Sequence, residues 1–220
     1  MFTKDFWQLM GTGTLETLYM VLGSTLLAYV IGLPVGVILV ATDDHGITPV
    51  KWLNRILGVI VNILRSIPFI ILLLWMIPVT RAILGTTLGA TATIVPLVAS
   101  AAPFVARMVE SSIKEIDGGV IEAAQSMGAT PWQIITRVML PEAKPSLVIN
   151  AAIVTTTILG YTAMSGFVGG GGLSTIAINY GYFRYQGDVM SITVVFLVII
   201  VQIFQEIGTR IAKKIDKRNH

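Results

Sequence analysis

Residues Glu122 to Pro145, EAAQSMGATPWQIITRVMLPEAKP, form a polar island between two long apolar blocks. Their punctuation is that of two short helices around a corner. Gly118 and Gly119 give a pliable entry, and VIEAAQSM reads as a helix with Glu122 in its first turn, where a carboxylate complements the positive end of the dipole. Gly128 supplies the left-handed residue that closes it. Thr130 suits an N-cap, Pro131 the first helical position, and Gln133, three residues after Thr130, completes a capping-box pattern. Pro141 and Pro145 cannot donate to a helical ladder, so the second helix is expected to stop near Leu140 and a new one to begin at Pro145.

The rest of the chain is built for lipid. Of 220 residues, 54% are hydrophobic and only 12% charged, with a mean hydropathy of +0.80, whereas soluble domains carry about 25% charged residues. A hydrocarbon layer of about 30 Å takes about 20 helical residues to cross. Five segments qualify: residues 15–41, 56–80, 82–108, 145–166 and 189–210. The expectation is an all-α membrane protein, one transmembrane domain over residues 1–220, with a cytoplasmic segment at 111–144. The uncharged run from Pro145 to Phe183 is too long for one crossing, and Gly166 and Gly169 to Gly172 read as a bend where the chain leaves the membrane. The first apolar run exceeds the length of a signal-peptide core, so it reads as a permanent helix.

Lys and Arg collect on the cytoplasmic side of membranes. Lys51, Arg55, Lys114, Arg137, Lys144 and the tail Arg210, Lys213, Lys214, Lys217, Arg218 would all lie inside if the C-terminus is cytoplasmic, leaving Lys4, Arg81 and Arg184 outside. Five crossings then put the N-terminus outside. The tail reads as an anchor at lipid headgroups, with no nucleic-acid role. The aromatic Tyr180, Tyr182, Phe183 and Tyr185 are expected at the outer interface.

The chain carries no chemistry of its own. There is no GxxxxGK[ST] to hold nucleotide phosphates and no GxSxG nucleophile. Zero cysteines and two distant histidines, His45 and His220, exclude Cys ligands and a His pair, so no metal site is expected. Asp43, Asp44 and His45 read as solvated loop residues.

Within the apolar blocks, Arg65 needs a partner or water, because a cation at the bilayer centre costs roughly 2.5 to 3.5 kcal/mol on insertion scales. An ion pair with Glu110 or snorkelling to headgroups would satisfy it. The fourth span is rich in hydroxyls and small residues, from Asn150 and Thr155 to Ser165 and Gly166, which suit helix packing or a lined pathway. Tyr161, Met164 and Ser165 are the candidate pathway residues, with Met164, a deformable thioether near the outer end, as a gate.

The island resembles the EAA loop of ATP-binding-cassette importer permeases, with Glu122, Ala123, Ala124, Gly128, Ala129, Trp132, Leu140, Pro141 and Pro145 at the positions that motif favours. RSIPFIILLLWMIPVTR from Arg65, APFVARMVE from Ala102 and GATPWQII extend the likeness to the methionine-import permeases of Gram-negative bacteria. The resemblance implies a type I importer permease in the inner membrane and a homodimer. It implies two ATPase subunits docked at Glu122, Ala123, Ala124, Gly128, Ala129 and Trp132, and a periplasmic or lipid-anchored methionine-binding protein. Its cargo would be D- and L-methionine, with ATP and Mg held by the ATPase and none in this chain. A permease of this type for another amino acid or an osmoprotectant would differ only in its cavity and binding protein. A channel or secondary carrier would need an acidic residue in the central membrane blocks, and there is none.

Overall fold

The computed structural model describes residues 4–215; Lys217, Arg218 and His220 of the basic tail lie outside the described residues. All the described elements are helical. The first helix, α1, spans Lys4–Ala41, 38 residues, about 57 Å at the usual rise and well beyond the bilayer thickness. It starts eleven residues before the expected position, and one face of these added turns is packed. Met10 is fully buried, and a Cβ on Gly13 would meet the Ile176 side chain.

The segment expected as one second span is three helices, α2 Lys51–Ser66, α3 Phe69–Trp75 and α4 Ile77–Leu84. Pro68 disfavours helical geometry at the preceding residue, and Ile67 is accordingly extended (φ −81°, ψ 122°). The result is a 99° bend between α2 and α3. The third crossing, α5, begins at Ala90 and ends at Lys114, not at residue 82. The intervening GTTLG is uncharged, but Gly85 and Gly89 both take positive φ (73° and 89°) and close a corner there.

After α5 come α6, Gly118–Ser126, and α7, Pro131–Ile134. A π-helical stretch, Ile135–Met139, then joins α7 to α8, Leu140–Ser165. The expected stop at Leu140 is therefore absent, and helix runs from Pro131 to Val168 without a break. The wider π turn explains this. Leu140 donates to Ile135 five residues back, and Pro141, with no N–H to place, falls in the first turn of the renewed α-helix.

A 3₁₀ turn, Gly166–Val168, and the glycines that follow lead into α9, Gly172–Ile176, its π continuation Ala177–Tyr182, and α10, Gly187–Ile215. Gly169, Gly171 and Gly172 all have positive φ, so the bend is where the sequence put it. The chain then turns back into the protein. Leu173, Ser174, Ile176, Ala177 and Ile178 are buried, and the N-terminus of α9 is capped from α1 by Glu16, which accepts from Gly172 N–H (2.7 Å), and Thr17, which accepts from Leu173 N–H (2.9 Å). Tyr182, Phe183 and Tyr185 are exposed beyond it, and Arg184 lies over the Tyr180 ring.

The core is the α1–α5 crossing, with α8 packed on α5 and α10. Ser24, Ala28, Gly32 and Gly36 recur every fourth residue along the buried face of α1, and small side chains let helices approach closely where lipid offers no competing hydrophobic drive. Outward faces carry Leu22, Leu26 and Val30 on α1 and Val194, Val198 and Ile203 on α10, all exposed in the single chain, as suits contact with hydrocarbon or a second apolar surface.

Candidate functional site

The corner between α6 and α7 is held at both ends by side-chain caps. α6 starts earlier than expected: Asp117 is its N-cap, accepting from Gly119 N–H at 2.8 Å, so Gly118 and Gly119 lie inside the helix and Asp117, not Glu122, meets the positive end of the dipole. Glu122 sits in the second turn. Gly128 (φ +78°) closes α6, donating to the Gln125 carbonyl, while Ala129 N–H reaches the Ala124 carbonyl. Thr130 and Gln133 form the reciprocal box: Thr130 N–H donates to Gln133 Oε1 at 2.9 Å and Gln133 N–H to Thr130 Oγ1 at 3.4 Å.

The sequence-predicted docking residues divide between two faces. Ala124 is 4% exposed and belongs to the core, with Ala129 packed against that core, so their small side chains serve internal packing. Glu122, Ala123, Gly128 and Trp132 face outward, Trp132 at 73% exposure. Met127, 82% exposed beside Gly128, joins them and was not anticipated. Two large apolar side chains held out from a polar, rigid corner make a surface suited to a partner. Among the described residues no basic group pairs with Glu122.

Beneath α6 a cavity of about 340 Å³ is bounded by Asp43, His45, Lys114, Glu122, Gln125 and Met139. It lies beside a chain of charges. Lys114 Nζ bonds Asp43 Oδ2 at 2.8 Å and Glu110 Oε1 at 3.0 Å; Arg107 pairs with Glu110 and donates to Asn62 Oδ1 at 2.8 Å. Asn54 Nδ2 donates to the Leu39 carbonyl at 2.6 Å, so α1, α2 and α5 are tied together at this end. The hydrogen bond from Lys114 holds the Asp43 carboxyl below its ordinary pKa. A carboxyl depressed in the folded state contributes its stability above the unfolded value and loses it as pH falls through the folded one. This tie is therefore intact at neutral pH and loosens as pH falls into the acid range.

The expected Arg65–Glu110 ion pair does not form. Glu110 is 8% exposed and already held by Arg107 and Lys114 from its own helix at three- and four-residue spacing, which needs no rearrangement of α2. Arg65 is exposed in the last turn of α2 and has no partner among the described residues. In double-mutant cycles read by thermal unfolding, Arg65→Gln and Glu110→Gln are expected to add within about 0.5 kcal/mol, whereas Arg107→Gln and Glu110→Gln should couple beyond it.

On α8 the three pathway residues also separate. Ser165 is fully buried and donates to the Thr162 carbonyl at 2.7 Å, so it packs the Gly169–Gly172 bend. Tyr161 stacks on Phe69 of α3, ring centroids 4.7 Å apart and 8° from parallel. Met164 alone is exposed, at 43%, on the face with Ile149, Ile153 and Gly160.

Residues 32–219 match the family described as binding-protein-dependent transport system inner membrane component. The chain is 49% identical over 210 residues to the probable D-methionine transport system permease protein MetI of Vibrio cholerae, covering 96% of this chain and 93% of that protein. With the D-methionine transport system permease protein MetI of Escherichia coli K12 it shares 54% over 158 residues, 72% of this chain and 73% of that one. The fold superimposes with a TM-score of 0.96 on a chain solved among inward-facing conformations of the MetNI methionine ABC transporter, 50% identical, covering 98% of this chain and 100% of that one. The all-helical architecture is thus the type I importer permease fold that the EAA-like corner implied. From its corner to its spans, the chain belongs to the family of inner membrane components of binding-protein-dependent transport systems.

Proposed function

We propose that two copies of this chain form the membrane pathway of an ATP-driven importer of D- and L-methionine, with an ATPase subunit on each α6–α7 corner and a methionine-binding protein delivering cargo on the opposite side. ATP and Mg bind on the ATPase; this chain supplies the pathway and the lever. The corner faces the cytoplasm together with Lys51, Arg55, Arg137, Lys144 and the end of α10, and the N-terminus lies outside. The observation that carries the reading is the uninterrupted helix from Pro131 to Val168. It joins the exposed docking surface at Trp132 to Met164 near the far end of α8 in one continuous stretch of helix, the path by which a displacement imposed by nucleotide at the corner reaches the gate. The names borne by the relatives and by the superimposed transporter support the cargo.

The test is uptake of labelled methionine, with ATP hydrolysis in parallel, by liposomes holding this chain and its co-purified ATPase, with binding protein added. Uptake that requires ATP and is competed by methionine, but not by other amino acids or betaines, is expected. Gradient-driven uptake without ATPase would reject the reading. Met164→Ala is expected to raise binding-protein-independent ATP hydrolysis and leak of methionine several-fold, because a bulky closing side chain is lost from an exposed site with little cost to folding. Identical hydrolysis and uptake would remove Met164 from the gate.

A further inference from the structure

α2 carries a polar face along its whole length. Lys51, Arg55, Asn62, Arg65 and Ser66 recur at helical spacing and are exposed, with Gly58 half-buried among them; Leu53, Leu57, Val61 and Leu64 turn to the protein body. Trp52, Ile56, Val59 and Ile63 form a third, exposed apolar flank suited to lipid. The depth of the polar face can be judged. Asn62 accepts from Arg107, which lies two turns along α5 from Lys114 and its partner Asp43 in the α1–α2 loop. Arg65 is nearly one turn further in, about 21 Å along the axis from Lys51. That sets the charge well in from the loop end of the helix, and an unpaired cation facing hydrocarbon is expensive.

The helix ends at that depth. Ser66 is its last residue, the 99° bend follows, and the negative end of the α2 dipole is left beside Arg65. A cation and a helix carbonyl end side by side match the two charges of an amino-acid zwitterion, and broken helices near the midplane are a recurrent way to hold such cargo. Phe69, just past the bend, stacks on Tyr161 of α8, so the broken end is fixed to the helix that leads from the docking corner.

We infer that Arg65, with Asn62 and Ser66, lines the aqueous pathway and receives the carboxylate of the amino acid in transit, the carbonyl end of α2 facing its ammonium group. This rests on the reading of the chain as an amino-acid importer. The guanidinium offers the planar pair of donors that a carboxylate accepts.

The sequence contains no cysteine, so Arg65→Cys introduces one thiol into this chain within the reconstituted complex. A membrane-impermeant methanethiosulfonate reagent is expected to modify it, and methionine with binding protein and ATP to slow that modification. In uptake assays Arg65→Gln should raise KM about 10-fold, Arg65→Lys should recover part of the loss, and the preference of the parent protein for methionine over methioninamide should shrink by a similar factor. Labelling only by a lipid-soluble maleimide, protection by anionic lipid instead of methionine, or an unchanged preference for the free carboxylate would each overturn the assignment. If the parent complex takes up a different amino acid and not methionine, the proposed cargo fails, and the same comparison of that acid with its amide still decides Arg65.

Discussion

Gly32→Leu and Gly36→Leu are expected to abolish recovery of folded permease from detergent, and the alanine variants to lower its thermal stability sharply. A single added Cβ at Gly32 would stand 2.6 Å from the Ala102 carbonyl oxygen and 2.7 Å from Val105 Cβ; at Gly36 it would stand 2.5 Å from the Ala106 carbonyl and 2.7 Å from Val109 Cβ. The obstacle is backbone and a β-carbon, neither of which can rotate away. Overpacking a close helix crossing typically costs about 1–3 kcal/mol, and for leucine the α1–α5 crossing would have to come apart. Gly11→Ala is the control, since nothing lies within 4 Å of its added Cβ. Size-exclusion profiles and unfolding midpoints should separate the positions cleanly; equal behaviour of Gly11→Ala and Gly32→Ala would mean that close approach is not what holds α1 to α5.

The second large effect is expected at the docking corner, and its cause differs. An added Cβ at Gly128 meets open space, so no collision opposes substitution. The constraint is φ +78°, where a β-branched residue costs of order 1–3 kcal/mol. Gly128→Val is therefore expected to re-aim α6 against α7 without disturbing the spans, and Glu122→Lys to reverse the charge of the exposed face with no strain. Both should insert and dimerise normally yet lose co-purified ATPase or ligand-stimulated ATP hydrolysis by at least about 10-fold, as removal of a buried interface anchor commonly does. Trp132→Ala, exposed in the single chain and thus unimportant to its folding, should do the same. Normal stimulation in all three would refute the assignment of the corner as the ATPase seat.

The corner was legible from the sequence because its determinants are local. Thr130, Pro131 and Gln133 act within one turn, and Gly128 was placed by the need for a left-handed residue. The start of α6 is less legible, because two glycines read as a pliable entry while Asp117 before them is an ordinary cap signal. The split of Ala123 from Ala124 required knowing which side of a nine-residue helix meets the core. The gate set fared similarly: Ser165 has the composition of a pathway residue and the surroundings of a packing one.

Hydropathy and charge by themselves determined that the chain is an all-helical membrane protein with a polar corner between spans, because burial in lipid and capping depend on composition and on neighbours a few residues away. Only the tertiary structure decided what those segments do together. It broke the second span at Pro68, carried helix straight through Pro141 on a π turn, gave Glu110 to Arg107 and Lys114, and left Arg65 without a partner among the described residues. Each of these turns on which residues from distant parts of the chain arrive at one place, and on a helix-to-helix distance set by Gly32 and Gly36 that no window of sequence contains.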